Sequence, residues 1–143
     1  MRGWLLDTNV VSELRKPRPD RRVAAWVDAQ VEQDVFLSRV TLAEVRAGVE
    51  RMADIARRSD LQAWLDTELR RRFASRILEV DEPVILAWLL LMEEGRKKRR
   101  PPPQPDALLA ATAVVHNLAI ATRNAKDFRQ IGVRVVNPWI AVS

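Results

Sequence analysis

The sequence contains no cysteine. That removes thiol nucleophiles, thiolate-bound zinc and disulfides together, and it fits a reducing compartment. Histidine occurs once, as His116, so a histidine-rich metal centre cannot be assembled. The only glycines are Gly3, Gly48, Gly95 and Gly132, and they form neither a G-x-G-x-x-G fingerprint nor a P-loop, which excludes those nucleotide sites. Long apolar runs are also missing. The longest, Val84 to Met92, is far short of the ~20 residues a membrane-spanning helix needs. The opening "MRGWLLDTN" meets an acid too early for a secretory signal. The expectation is a cytoplasmic protein with no membrane contact. With 143 residues it should form one domain, 1–143, large enough to bury roughly 70% of the surface of its unfolded chain.

Positive charge is what the chain has in excess. Its 24 Lys and Arg outnumber 19 Asp and Glu, a net charge of +5, which suits a polyanion or an acidic protein partner. The basic residues gather in "RKPRPDRR", in "RRR" before Phe73, and in the run Arg96, Lys97, Lys98, Arg99, Arg100. Most such runs are solvated helix faces and ends, but the last lies close in sequence to Asp106 and is the best candidate for phosphate contact. Five tryptophans without tyrosine raise base stacking as an option. Trp26, Trp64 and Trp88 fall on apolar helix faces, however, which favours core or dimer packing. His116 sits late in its helix and reads as structural.

Periodicity predicts a short buried strand at Trp4–Leu6, a helix through "VVSEL" ending at the prolines near Pro17, and a second helix capped by Asp20 with Val23, Trp26, Val27 and Val31 inward. A strand follows at Asp34–Ser38. Next come a helix from Thr41 with Leu42, Val45, Val49 and Met52 on one face, and a longer helix over about Ser59–Phe73. "RILEV" is a third strand, and Pro83 opens a helix that stops before the extended "RRPPPQP". "DALLAATAVVHN" is a helix, "LAIAT" a fourth strand, "NAKDFRQI" a turn and short helix, and "VRVVN" a fifth strand. Strands alternating with helices imply an α/β class, three-layer α/β/α sandwich around a mainly parallel sheet of about five strands.

In such a sheet, strand C-termini and the N-termini of the following helices share the edge where ligands bind. Asp7 ends the first strand, Glu44 lies early in the helix after the second, Asp106 opens the helix before the fourth, and Asn124 and Asp127 follow the fourth. All are expected on one edge. Each also has a simpler reading: Asp7 and Asp106 as helix caps, Thr41 and Glu44 as a T-x-x-E capping box, Asp127 and Asp81 as turn acids. Grouped carboxylates are costly, since two at about 4 Å repel by roughly 4 kcal/mol at an effective dielectric of 20. A cluster should therefore shift its pKa values or hold a cation. With oxygen ligands alone, that cation is Mg²⁺ or Mn²⁺ rather than zinc or copper. Asn9 stands where an aspartyl-nucleophile phosphatase would carry the second acid of D-x-D.

"LLDTNVVSELRKPRPD", "TLAEVRAGVERM", "PDALLAATAVVHN" and "TRNAKDF" followed by "GVRVVNPW" resemble, in order and over essentially the whole chain, the PIN-domain ribonuclease toxins of the VapC and FitB type. The resemblance implies a Mg²⁺-dependent endoribonuclease, with Mn²⁺ as a substitute, usually a homodimer and neutralised by a cognate antitoxin that reaches into the acidic pocket. Position by position, it places Asp7, Glu44 and Asp106 on the family's three principal metal-binding acids. Many members carry a further acid where this chain has Asn124, which makes Asp127 the fourth acid here and Asn124 supporting. Thr8 and Asn9 are expected to orient Asp7 or a water, or to cap the next helix. In this reading a basic surface attracts RNA and the acid edge holds the ion that cuts it. The alternative is a non-enzymatic role, as partner in an antitoxin-dependent complex on operator DNA.

Overall fold

The computed structural model describes residues 3–140. Five parallel strands form one sheet in the order β3-β2-β1-β4-β5: β1 (Trp4–Leu6), β2 (Val35–Ser38), β3 (Ile77–Leu78), β4 (Ala119–Ala121) and β5 (Val135–Val136). Central β1 pairs on one side with β2, Trp4 opposite Val35, and on the other with β4, Leu5 opposite Ile120. The chain winds outward from β1 to β3 and then returns to the far side of β1. The β1–β4 junction is thus where the winding reverses, the place at which open α/β sheets bind ligands.

Alternation along the strands splits the core in two, because successive side chains point to opposite faces. Leu6, Leu37 and Ala121 belong to one apolar cluster with Val10, Val23, Val45, Leu65 and Phe73. These come from α1 (Thr8–Leu14), α2 (Arg21–Asp28), α3 (Arg39–Glu50) and the helical segment after it. Leu5 and Ile120 belong to the other cluster, with Leu109, Ala113 and Phe128. The helical segment runs from α4 (Ile55–Ala63) through a π-helical stretch, Trp64–Leu69, into α5 (Arg70–Arg72). The second face carries α6 (Glu82–Lys97), α7 (Gln104–His116) and α8 (Ala125–Ile131). The three-layer parallel sandwich is the one expected.

Several boundaries differ from expectation, with local causes. Helix α3 begins at Arg39, not Thr41, because Ser38 at the end of β2 caps it, its Oγ accepting from the Val40 N–H at 3.0 Å. No T-x-x-E capping box forms, and Glu44 lies beyond the first turn. Thr41 is fully buried instead, its hydroxyl without a partner. Helix α4 starts at Ile55, ahead of Ser59, since Asp54 accepts from the Arg57 N–H at 3.1 Å. Helix α7 starts at Gln104 with Pro103 at the cap position, which displaces Asp106 into the first turn. Asp34 lies in a 3₁₀ turn before β2. Val31, beyond the end of α2, is 61% exposed. Asp81 caps α6, accepting from the Val84 N–H.

Candidate metal and nuclease site

Asp7 follows β1, and its backbone N–H donates to the Ala121 carbonyl at 2.9 Å, extending the β1–β4 pairing by one residue. The carboxylate is therefore held at the reversal of the winding, only 8% exposed. Oδ1 accepts from the Thr8 N–H at 2.7 Å and Oδ2 from the Thr122 hydroxyl at 2.7 Å. Asn9 also approaches, its Nδ2 3.4 Å from both Asp7 Oδ2 and Thr122 Oγ1. Burial pushes the Asp7 pKa up, and the bonds from Thr122 and Thr8 oppose the rise. Thr122 was not among the residues singled out from sequence. The available signal was positional: it follows β4 as Asp7 follows β1.

The other acids come from three separate helices. Glu44, on α3, accepts from the Thr8 hydroxyl at 2.8 Å, so Thr8 ties two of the carboxylates together through its backbone and its side chain. Asp106 lies in the first turn of α7, which has no side-chain cap bond, and the capping reading of Asp106 fails. Asp127 occupies the first turn of α8. Asp106 reports on the whole group. Its pKa is pushed up to about 6, first by burial and then by the charges of Asp7, Asp127 and Glu44. The charges of the other three acids thus all act on Asp106.

Asn124 is the α8 cap residue but makes no side-chain cap bond. Its backbone N–H donates to Thr122 Oγ1 at 3.0 Å. Asn9 spans the junction, accepting from the Arg123 N–H at 3.2 Å. Asn137 and Trp139 buttress the same loop: the Arg123 guanidinium lies 5.0 Å from the centre of the Trp139 ring, and Trp139 is buried. Trp26 meets Trp4 edge-on at 5.0 Å and, with Trp64, packs against the core. These rings are packing elements, not stacking platforms for bases. His116 is exposed at the end of α7, away from the acids.

The basic run from Arg96 to Arg100, at and just beyond the end of α6, is exposed. Arg96 pairs with Glu93, and Lys98 with Glu94 at 3.4 Å. Lys97, Arg99 and Arg100 enter no ion pair among the described residues.

The donor set suits a hard divalent cation: carboxylate oxygens supplemented by hydroxyls and amides. A dication among them would lower the energy of the ionised Asp106 that its neighbours raise. Among the described residues, no three acids or histidines stand where they could grip an ion as placed. Convergence within one ion's reach, expected from sequence, is thus not complete. Glu44 and Asp127 are exposed.

Comparison with known proteins identifies the family. The PIN domain sequence pattern matches residues 4–133. Toxin FitB of Neisseria gonorrhoeae is 38% identical over 135 residues, covering 94% of this chain and 97% of the relative. VapC ribonuclease Y4jK of Sinorhizobium fredii is 38% identical over 135 residues, covering 94% and 96%. The structure of FitAB bound to an IR36 DNA fragment superposes with a TM-score of 0.90 at 36% identity, covering 98% of each chain. A carboxylate edge at the winding reversal and a match spanning nearly all of the sheet lead to one assignment: the chain belongs to the PIN domain family.

Proposed function

We propose that this protein is the toxin of a toxin–antitoxin pair and that it hydrolyses RNA phosphodiester bonds as a metal-dependent endoribonuclease. The observation that carries this reading is Asp106, raised to about 6 by burial and by the charges of Asp7, Asp127 and Glu44. The four acids come from four parts of the chain, and open α/β sheets of this topology bind ligands at the edge where the winding reverses. Relatives named as a toxin and as a ribonuclease support it.

Asp7, Glu44, Asp106 and Asp127 are the residues that would hold Mg²⁺, or Mn²⁺ in its place. When bound, such an ion polarises a phosphate oxygen and lowers the pKa of a water. The chain's own part is orientation. Thr122 and the Thr8 N–H fix the two oxygens of Asp7 in a partly desolvated site, where a point charge acts more strongly than in water. Thr8 Oγ1 holds Glu44 toward the same crevice. Asn9, bonded to the Arg123 N–H, keeps the β4–α8 loop that carries Asn124 closed over Thr122. Without a cation the four carboxylates repel a phosphodiester, so the surrounding basic surface gathers RNA but the acids prevent close approach.

The proposed partners are single-stranded RNA as substrate, a cognate antitoxin, and a second copy of the chain. Support for the homodimer comes from α6, where Ile85, Leu86, Leu89 and Leu90 are all exposed at spacings that put them along one side of the helix. The solved complex of a relative on DNA favours a second reading, in which the protein acts with its antitoxin on operator DNA and cuts nothing.

Antitoxin-free protein incubated with RNA in Mg²⁺ or in EDTA separates the two. Wild type should cleave only with metal. Asp106→Asn, which removes a charge but no cap, should fold normally and lose more than ~100-fold in rate, beyond the 10–100-fold typical of outer residues at metal sites. Unchanged cleavage by this variant at limiting metal would remove Asp106 from the site. Absence of cleavage by wild type at every Mg²⁺ and Mn²⁺ concentration would leave only the DNA-binding role.

A further inference from the structure

Beside the acid edge lies a cleft of about 370 Å³, lined among others by Leu91, Lys98, Arg100, Pro102, Asp127 and Ile131. Its construction is specific to the end of α6. Arg99 takes the left-handed conformation, φ 56°, and the Arg100 N–H turns back to the Gly95 carbonyl at 2.8 Å. The chain then doubles against its own helix. A Cβ on Gly95 would stand 2.8 Å from Pro102 Cδ and 2.9 Å from the Arg100 carbonyl oxygen, so only glycine admits this approach. The prolines that follow have fixed φ and hold the wall stiff without further hydrogen bonds. An L-residue in that conformation is strained, and the surrounding packing must sustain it.

We propose that this cleft seats the nucleotide flanking the scissile phosphate of a single-stranded RNA, with its base against Leu91, Ile131 and the proline ring and its phosphate toward Arg100. The inference rests on the nuclease reading and extends it to substrate selection. Continuity with the site is direct, since Asp127 belongs both to the carboxylate group and to the cleft wall. Charge favours a polyanion over an acidic-site-seeking peptide: Glu94, the other acid in the lining, is paired with Lys98 at 3.4 Å, which leaves Arg100 in no ion pair among the described residues. The volume lies at the small end of the ~300–1,000 Å³ range of ligand clefts, suited to one base rather than two. Splayed single-stranded bases are recognised by stacking on side-chain planes, the Arg guanidinium among them, with a basic contact to the backbone.

The test uses the full-length protein and an unstructured RNA library randomised around one cleavage position. Gln130, exposed on the cleft lining, is replaced in Gln130→Trp to fill the slot, and Arg100→Ala removes the cation; circular dichroism verifies that both are folded. Wild type should prefer one base class at a single position next to the cut. Gln130→Trp should flatten that preference by about tenfold, the scale of discrimination by an apolar pocket, with preferences at other positions retained. Arg100→Ala should raise KM severalfold for all sequences, with kcat kept and a shallower salt dependence. If both variants cut with wild-type preference and KM, or if only affinity for the antitoxin changes, the cleft is not an RNA subsite although the nuclease stands. If wild type cuts no RNA at all, the nuclease reading falls and this inference falls with it.

Discussion

Asp7 is buried at the junction of β1 and β4 with both oxygens bonded; burial raises its pKa, and the bonds from Thr122 and Thr8 oppose that rise. Thr122→Val keeps the shape and removes the hydroxyl. A hydrogen bond to a charged group contributes about 1.5–3 kcal/mol. The variant should therefore be destabilised on that scale in urea, and the Asp7 pKa, followed by carboxyl NMR, should rise further. Asp106 gives a pH signature. Its folded pKa of about 6 stands above its ordinary 3.8, so between these values the native chain retains a proton the unfolded chain has released. The stabilisation this group provides is complete below 3.8 and is lost as pH rises through about 6. Without metal, the Tm of wild type relative to Asp106→Asn should fall over that window, and saturating Mg²⁺, which binds the ionised form, should abolish the fall. A difference in Tm that stays flat with pH would show that Asp106 does not titrate with its neighbours.

Among the elements, the end of α6 is the clearest case of local conformation set by distant packing. Arg99 occupies a backbone region that glycine enters without penalty, and Arg99→Gly should raise the urea midpoint by an amount equivalent to as much as ~1 kcal/mol, the lost strain being offset in part by the freer unfolded chain. A lowered midpoint would mean that the arginine side chain itself holds the turn. The opening of α7 illustrates the limits of reading caps from sequence. Proline at 105 followed by an acid fits a helix start at Asp106, yet Pro103 takes the cap position and the helix begins two residues ahead of the acid, at Gln104. Proline tolerates either place because the first helical N–H groups have no intrahelical partner. For α3 the competing cap Ser38 ends the strand itself, so the turn from β2 is too tight to leave Thr41 as the first residue.

At the level of the whole molecule, two surfaces remain outside the acid edge. With the basic excess, +5 overall, the proposed RNA binding should weaken as salt rises. The strip Ile85, Leu86, Leu89 and Leu90 on α6, with Leu90 62% exposed, is an apolar surface of the kind that marks association. If the proposed homodimer forms through this strip, Leu86→Lys combined with Leu90→Lys should leave a monomer in sedimentation equilibrium without changing helix content. Unaltered mass would place any self-association elsewhere. No helix among the described residues is long and apolar enough to cross a membrane.

Strand apolarity, helical spacing and the order of elements were legible in the chain itself, since they depend on near neighbours and on a period of 2 or 3.6. The α/β/α class and the placing of Asp7, Glu44, Asp106 and Asp127 on one edge followed from them. What no local pattern contains is which hydroxyl meets which carboxylate across the sheet. Thr122 reaches Asp7 over a separation of 115 residues, and that contact exists because β4 returns to lie beside β1. The same holds for the cleft at Gly95, which arises where a proline-rich segment folds back on a finished helix. Sequence determined the elements and their chemistry; only tertiary packing decided which of those groups share a field, because Coulomb and hydrogen-bond energies depend on distance in space and not along the chain.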